Sequence, residues 1–226
     1  MLKCIYIDLF PYIIDDLKLS SIIWTKVKNN PKIIEWLKDK PKMVELIDDN
    51  PAFFKNANLF EELLSPNDYK FFYDYWKLEF RDNLFALAKN GLNPIINDFF
   101  KNCYENNVKM IVTYNRDVCD NIGQLYPFLK NVDFKYISYE KSLNLEGFVK
   151  LNLENEFLIS EVCVMTQKPE VLEHLQSSNF FVTTINSTKL NSNDKNIHYF
   201  NNYKNLSYYD LSYSFYKDED EDTMEL

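Results

Sequence analysis

The chain has 226 residues, of which 46% are hydrophobic and 16% aromatic. That is enough apolar surface for a full-sized domain core, and it excludes a chain that is disordered throughout. The 25 basic and 34 acidic side chains give a formal net charge of −9, which argues against nucleic acid as a partner because phosphate binding needs clustered Lys and Arg. The apolar runs are also shorter than the ~20 residues of a membrane-spanning helix, so we predict a chain that does not span a membrane.

The cysteine pattern and the first residues bear on the compartment. The four cysteines are widely spaced, without a C-x-x-C pair, which favours buried free thiols over zinc ligands or disulfides. Residues 1–10 have the pattern of a strand and not that of a signal or transit segment. We therefore expect an intracellular, reducing compartment, with the cytoplasm favoured and an organelle as the alternative.

The first half of the chain predicts one strand followed by helices. Residues 2–7 are mostly apolar and end at Asp8, which is typical of a strand buried on both faces of a parallel sheet. From Pro11 to about Gly91 the apolar residues recur with a helical period. Prolines at the first turns divide this stretch into short helices, and a longer amphipathic helix begins at Ser65, whose hydroxyl is a suitable N-cap.

Beyond Gly91 the pattern alternates between helix and strand. Such alternation is typical of a parallel sheet covered by helices, so we predict an α/β fold interrupted after its first strand by a helical insertion. The predicted strands are residues 108–112, 134–137, 162–165, 181–185 and 197–200, and the predicted helices are residues 93–107, 117–126 and 169–177. The predicted organisation is an α/β core at residues 1–14 and 91–216, a helical insertion at 15–90 and an acidic tail at 217–226.

Two strand ends carry motifs that point to one family. Residues 8–13 (DLFPYI) begin at the Asp that ends an apolar strand. Residues 110–115 (MIVTYN) contain an apolar strand that ends in Thr113, and Asn115 comes two residues later. This chain thereby resembles the haloacid dehalogenase-like (HAD) superfamily, whose first motif is a strand ending in Asp and whose second is a strand ending in Thr or Ser. The resemblance implies a HAD-like, Rossmannoid core with an inserted helical cap.

The resemblance also implies roles for individual residues. Asp8 corresponds to the family nucleophile and Thr113 to the hydroxyl residue of the second motif. Lys141 is the candidate for the third-motif lysine, with Lys150 as the alternative. In the family's phosphatases, Mg²⁺ held by the first-motif Asp and fourth-motif acids neutralises the phosphate.

This sequence departs from the family pattern where the chemistry needs it. Phe10 stands where the phosphatases carry an acid/base, and Thr166 and Gln167 stand where metal-binding acids are expected. Mg²⁺ sites usually include carboxylates, so we predict no cofactor, and Mg²⁺ only if the chain is a hydrolase. Pro11 offers no N–H to a phosphate.

Asp8 and Thr113 also suit purely structural roles. An Asp at a strand end commonly accepts capping hydrogen bonds, and Thr113 suits the end of a strand on conformational grounds alone. We favour a HAD-like protein that has lost catalysis and acts as a structural or binding component, such as a subunit of a larger assembly. The alternative is a divergent, phosphatase-like hydrolase with Asp8 as the nucleophile.

Two aromatic segments of the chain suggest a protein partner. Residues 71–80 and 203–216 are rich in Phe and Tyr, and such rings are buried either in the chain's own core or against a partner. The acidic residues after Lys217 predict a solvated tail. The oligomeric state is left open by the sequence.

Overall fold

The structure is a computed structural model. It describes residues 1–14, 16–49, 64–89, 94–114, 132–137, 144–175, 178–185, 197–200 and 207–224. The chain divides into two compact units, one made of residues 1–13, 92–116 and 129–226 and the other of residues 14–91 and 117–128. The first is here called the sheet unit and the second the helical unit. The predicted helix at 117–126 lies outside the described residues.

The sheet unit is built on a six-stranded parallel sheet with the strand order β3-β2-β1-β4-β5-β6. This confirms the predicted α/β class. The strands are β1 (Cys4–Asp8), β2 (Lys109–Tyr114), β3 (Val132–Tyr136), β4 (Val162–Met165), β5 (Phe181–Ile185) and β6 (Ile197–Phe200).

Burial explains why the central strands are mostly apolar or β-branched. Every residue of β1, β4 and β5 is buried, as expected for strands with both faces covered. On one face, Tyr6 and Val164 form a buried cluster with Phe148 and Leu172, which lie on two helices. Around the described sheet the helices are α5 (Pro94–Glu105), α6 (Asn144–Asn155), α7 (Pro169–Leu175) and α8 (Tyr208–Met224).

The helical unit consists, in its described part, of helices α1 (Asp16–Lys28), α2 (Pro31–Leu37), α3 (Pro41–Asp49) and α4 (Pro66–Lys89). Three of these begin at the prolines that the sequence marks as first-turn residues. Asn30 caps α2 by accepting from the backbone N–H of Lys32 at 3.0 Å, and Ser65 caps α4 by accepting from the N–H of Asp68 at 3.2 Å.

Aromatic side chains fill the interior of the helical unit. Phe72, Trp76 and Phe80 on α4 are fully buried, and Phe72 lies edge-on to Trp24 of α1 with ring centroids 6.4 Å apart. The Trp36 ring stacks on Phe72 at 5.4 Å. Three of the six aromatic rings at residues 71–80 are thus buried inside the helical unit itself.

Helix α8 carries the aromatic C-terminal sequence. Leu211 and Phe215 are buried, and the Phe215 ring lies edge-on to Phe181 of β5 at 5.0 Å. The acidic run, for which the sequence predicts a solvated tail, continues this helix to Met224. Tyr203, where the predicted aromatic segment begins, lies outside the described residues.

Three cysteines are buried free thiols, as predicted: Cys4, Cys103 and Cys163. Cys119 lies outside the described residues. Burial raises the pKa of the Cys163 thiol to about 12 and raises those of the other two as well, so these thiols are poor nucleophiles. Within the described ranges, no helix combines the length and the hydropathy that a membrane crossing needs.

Candidate functional site

The candidate site lies at the carboxyl ends of three adjacent strands. Strand β1 ends at Asp8, and Asp8 pairs in register with Thr113 of the neighbouring strand β2. On the other side of β1, strand β4 ends at Met165, which pairs with Ile7 and is followed by Thr166. Crevices at the carboxyl ends of parallel strands are the usual ligand sites of such sheets. The three side chains are almost completely buried, with exposed fractions of 1% or less.

Both carboxylate oxygens of Asp8 accept hydrogen bonds from threonines. The Thr113 hydroxyl donates to Oδ1 at 3.0 Å, and the Thr166 hydroxyl donates to Oδ2 at 2.6 Å. The shorter distance is typical of a hydroxyl that donates to a carboxylate. The arrangement therefore ties the ends of β2, β1 and β4 together through one side chain.

The direction of the Thr166 bond is set by its surroundings. Its Oγ1 accepts from the backbone N–H of Lys168 at 3.2 Å, which leaves the hydroxyl hydrogen to point at Asp8. The Thr166 backbone N–H donates to the carbonyl of Thr183 at 3.1 Å, and the Tyr12 hydroxyl donates to the Thr166 carbonyl at 3.2 Å. Thr166 is therefore held through its hydroxyl, its N–H and its carbonyl.

The loop after Asp8 has the residues that the sequence singled out. The π-helical stretch Leu9–Ile13 is interrupted by a kink at Phe10, whose backbone is extended, with φ −115° and ψ 133°. The side chain two residues after Asp8 is thus an aromatic ring with no proton to give or take. Tyr12 is buried and its hydroxyl contacts Thr166, the residue that follows β4, a role that the sequence did not reveal.

The lysine candidates do not complete a site in the described part of the chain. Lys141 lies outside the described residues, so its role stays a prediction. Lys150 lies on α6 with a side chain that is 77% exposed, and its ammonium pairs with Glu154 at 3.9 Å and not with Asp8. The structure thus brings together Asp8, Thr113 and Thr166 of the residues that the sequence marked.

The oxygen set at the strand ends is a poor fit for Mg²⁺. Asp8 supplies a carboxylate, but its neighbours Thr113 and Thr166 supply neutral hydroxyls whose hydrogens point at that carboxylate. Mg²⁺ sheds its water reluctantly and is usually held by carboxylates together with substrate phosphates. In the described ranges, no group of three His, Cys, Asp or Glu side chains could hold a metal ion.

Comparison with known proteins gives one kind of match. No protein-family model matches the sequence. No curated protein is significantly similar to it. Solved structures, however, resemble the chain over nearly its whole length.

A β-phosphoglucomutase from Clostridium difficile has a TM-score of 0.63 at 14% identity, and the match covers 96% of this chain and 98% of that one. A HAD hydrolase of family IA, variant 3, from Entamoeba histolytica has a TM-score of 0.54 at 12% identity, covering 93% and 97%. A HAD-superfamily hydrolase of subfamily IA, variant 1, from Geobacter sulfurreducens has a TM-score of 0.53 at 11% identity, covering 93% and 96%.

These likenesses establish the fold. The chain has the haloacid dehalogenase-like fold, built on a parallel sheet, and this confirms at the level of the fold the resemblance inferred from the two strand-end motifs. At identities of 10–14%, the activities of the similar proteins do not transfer with the fold.

Proposed function

We propose that this protein is a HAD-like protein without catalytic activity, in which the strand-end residues serve as a structural junction and the chain acts as a binding or structural component for a protein partner. The observation that carries the proposal is the pair of hydrogen bonds from Thr113 and Thr166 to the two oxygens of Asp8.

The chemistry of phosphoryl transfer explains why this pair matters. A nucleophilic carboxylate must present an oxygen to phosphorus, and the incoming phosphate brings negative charge that a metal or cationic groups must neutralise. Here Oδ2 is engaged by Thr166 at 2.6 Å, at a position where the family's metal acids would be expected. Attack through that oxygen would first break a hydrogen bond that is worth about 1.5–3 kcal/mol.

Proton transfer is the second missing function. A phosphatase needs a group that protonates the leaving oxygen and later activates water. Phe10 stands two residues after Asp8, in extended backbone, and its ring offers no such group. The similar solved structures are named as hydrolases and a phosphoglucomutase, and the competing function is therefore a divergent hydrolase that acts through Asp8.

The test is a titration with Mg²⁺ in which a gain-of-binding variant provides the contrast. Calorimetry of the full chain with millimolar MgCl₂ should show no heat that Asp8→Asn abolishes, and p-nitrophenyl phosphate should not be hydrolysed above the rate of that variant. Thr166→Asp places a second carboxylate beside Asp8. It should destabilise the chain in EDTA through like-charge repulsion, and added Mg²⁺ should restore stability.

A hydrolase would give the opposite pattern. Mg²⁺-dependent heat and phosphate release by the wild-type chain, both lost in Asp8→Asn, would overturn the proposal. Asp8→Asn keeps the size of the side chain but removes one acceptor, so circular dichroism must first show that the variant is folded.

A further inference from the structure

Helix α8 is aromatic on two opposite faces. Its inner face carries Leu211 and Phe215, which are buried. Its outer face carries Tyr209, Tyr213 and Tyr216, which are 66%, 73% and 40% exposed. The spacing of four and three residues places these three rings in one row on the helix surface. We call this row the tyrosine face.

The tyrosine face is held by the packing beneath it. The Tyr216 ring lies edge-on to Phe215 at 5.9 Å, and Phe215 in turn contacts Phe181 of the sheet at 5.0 Å. At the other end of the row, Tyr209 lies edge-on to the buried Tyr208 at 5.5 Å. Rings that are anchored in this way lose little conformational freedom when a partner covers them.

Acidic residues follow the tyrosine face along the same helix. The sequence places five consecutive acids at residues 218–222, and the α8 backbone remains helical through them to Met224. In the sequence these acids directly follow Tyr216 and Lys217. No basic residue occupies the last turn, which means that negative charges accumulate at the negative end of the helix dipole.

The exposed tyrosines and the nearby acids together favour one kind of binding partner for this surface. A second copy would bring another chain of net charge −9 against the same acids, and like charges at an interface are strongly unfavourable. A cationic segment has the opposite effect, because it neutralises the acids and relieves their repulsion. Arginine suits the tyrosine face better than lysine does, since its planar guanidinium stacks on aromatic rings.

We infer that the tyrosine face, together with the acids that follow it, is the docking surface for an arginine-rich segment of a protein partner. Guanidinium groups stack on Tyr209, Tyr213 and Tyr216, and further cations of the segment pair with residues 218–222. The inference rests on the proposed function, because it assigns a surface and a partner chemistry to a chain proposed to act by binding.

The experiment uses the full chain and a fluorescein-labelled nona-arginine peptide, with binding followed by fluorescence anisotropy at about 100 mM salt, where exposed charges more than ~10 Å apart are largely screened. Replacing the three tyrosines of the row by Gln should weaken binding about tenfold or more, because each exposed cation–π contact contributes modestly. Tyr104→Gln is the matched control, because Tyr104 is a 60% exposed tyrosine on α5, and it should bind like the wild type. Nona-lysine should bind the wild type several-fold more weakly than nona-arginine.

Three results would overturn the inference. They are no saturable binding of nona-arginine by the wild type, equal binding by the triple variant, and an equal loss of binding in Tyr104→Gln. Neutralising residues 218–222 to Asn and Gln should weaken both peptides. If that change alone removed all binding while the tyrosines made no difference, the tail would be a general polyanion and the docking surface would be refuted. These outcomes are independent of Mg²⁺ and phosphate, so a failure here is distinguishable from a failure of the proposed loss of catalysis.

Discussion

Replacement of Thr166 by Val removes the shorter of the two threonine hydrogen bonds to Asp8 while it keeps the branched shape of the side chain. Thr166 is fully buried and Asp8 is 1% exposed, so water cannot readily replace the hydroxyl that donates to Oδ2 at 2.6 Å. A hydrogen bond to a charged group contributes about 1.5–3 kcal/mol, and an acceptor left unsatisfied adds its desolvation cost. We expect Thr166→Val to lower the free energy of unfolding by about 2–3 kcal/mol. For a chain of this length that corresponds to a fall of roughly 4–12 °C in Tm.

Urea unfolding with linear extrapolation measures this change, and Thr166→Ser serves as the matched control because it retains the hydroxyl. A double-mutant cycle with Asp8→Ala then isolates the contact. In the Asp8→Ala background, Thr166→Val should cost less than about 0.5 kcal/mol, because the acceptor is already absent. If Thr166→Val were equally costly in both backgrounds, the bond to Asp8 would not be the source of the stability, and the reasoning would be refuted.

Three further predictions concern the helical unit and helix α8. The Trp36 indole N–H donates to Asp68 at 2.6 Å, and this bond is the largest cause that holds the pKa of that carboxyl below its usual range. The stability that the lowered pKa contributes is present above the unfolded pKa and is lost as pH falls through the folded pKa. Trp36→Phe should therefore flatten the loss of stability below about pH 4, as measured by urea midpoints. Phe215→Ala should lower the free energy of unfolding by about 3–5 kcal/mol, whereas Tyr213→Ala, at a 73% exposed position, should change it by less than about 0.5 kcal/mol; equal effects would contradict the assigned faces of α8. A chain that ends after Lys217 should keep its Tm to within about 2 °C, because the deleted acids repel one another, and a large drop in thermal melting would show that they stabilise the fold.

Local patterns accounted for the positions of most described elements. Strands β4, β5 and β6 coincide with the predicted segments because each is a short apolar or β-branched run bounded by polar residues. Helix α2 begins at the predicted proline for a similarly local reason. The sequence pattern does not predict helix α6. Its apolar residues do not form one buried face, because Leu153 is 75% exposed, and Gly147 lies within the helix.

Gly147 shows why a long-range contact can decide such a helix. A Cβ at that position would lie 3.1 Å from Cγ2 of Ile137, just beyond β3. The glycine lowers the local helix propensity, but it permits the close approach of α6 to the sheet. The residues next to Gly147 in the sequence do not predict this contact.

The sequence by itself determined that Asp8 and Thr113 lie at or next to the carboxyl ends of strands, because an apolar run followed by a polar residue is a local pattern. It also determined that Phe10 and Thr166 lack the groups that the family's phosphatase chemistry uses. Only the tertiary structure decided that β1 lies between β2 and β4, and hence that two threonines 53 residues apart in the sequence donate to the two oxygens of one carboxylate. Strand order depends on the packing of the whole sheet and its helices, and that free energy is distributed over contacts too distant in the sequence for any local pattern to record.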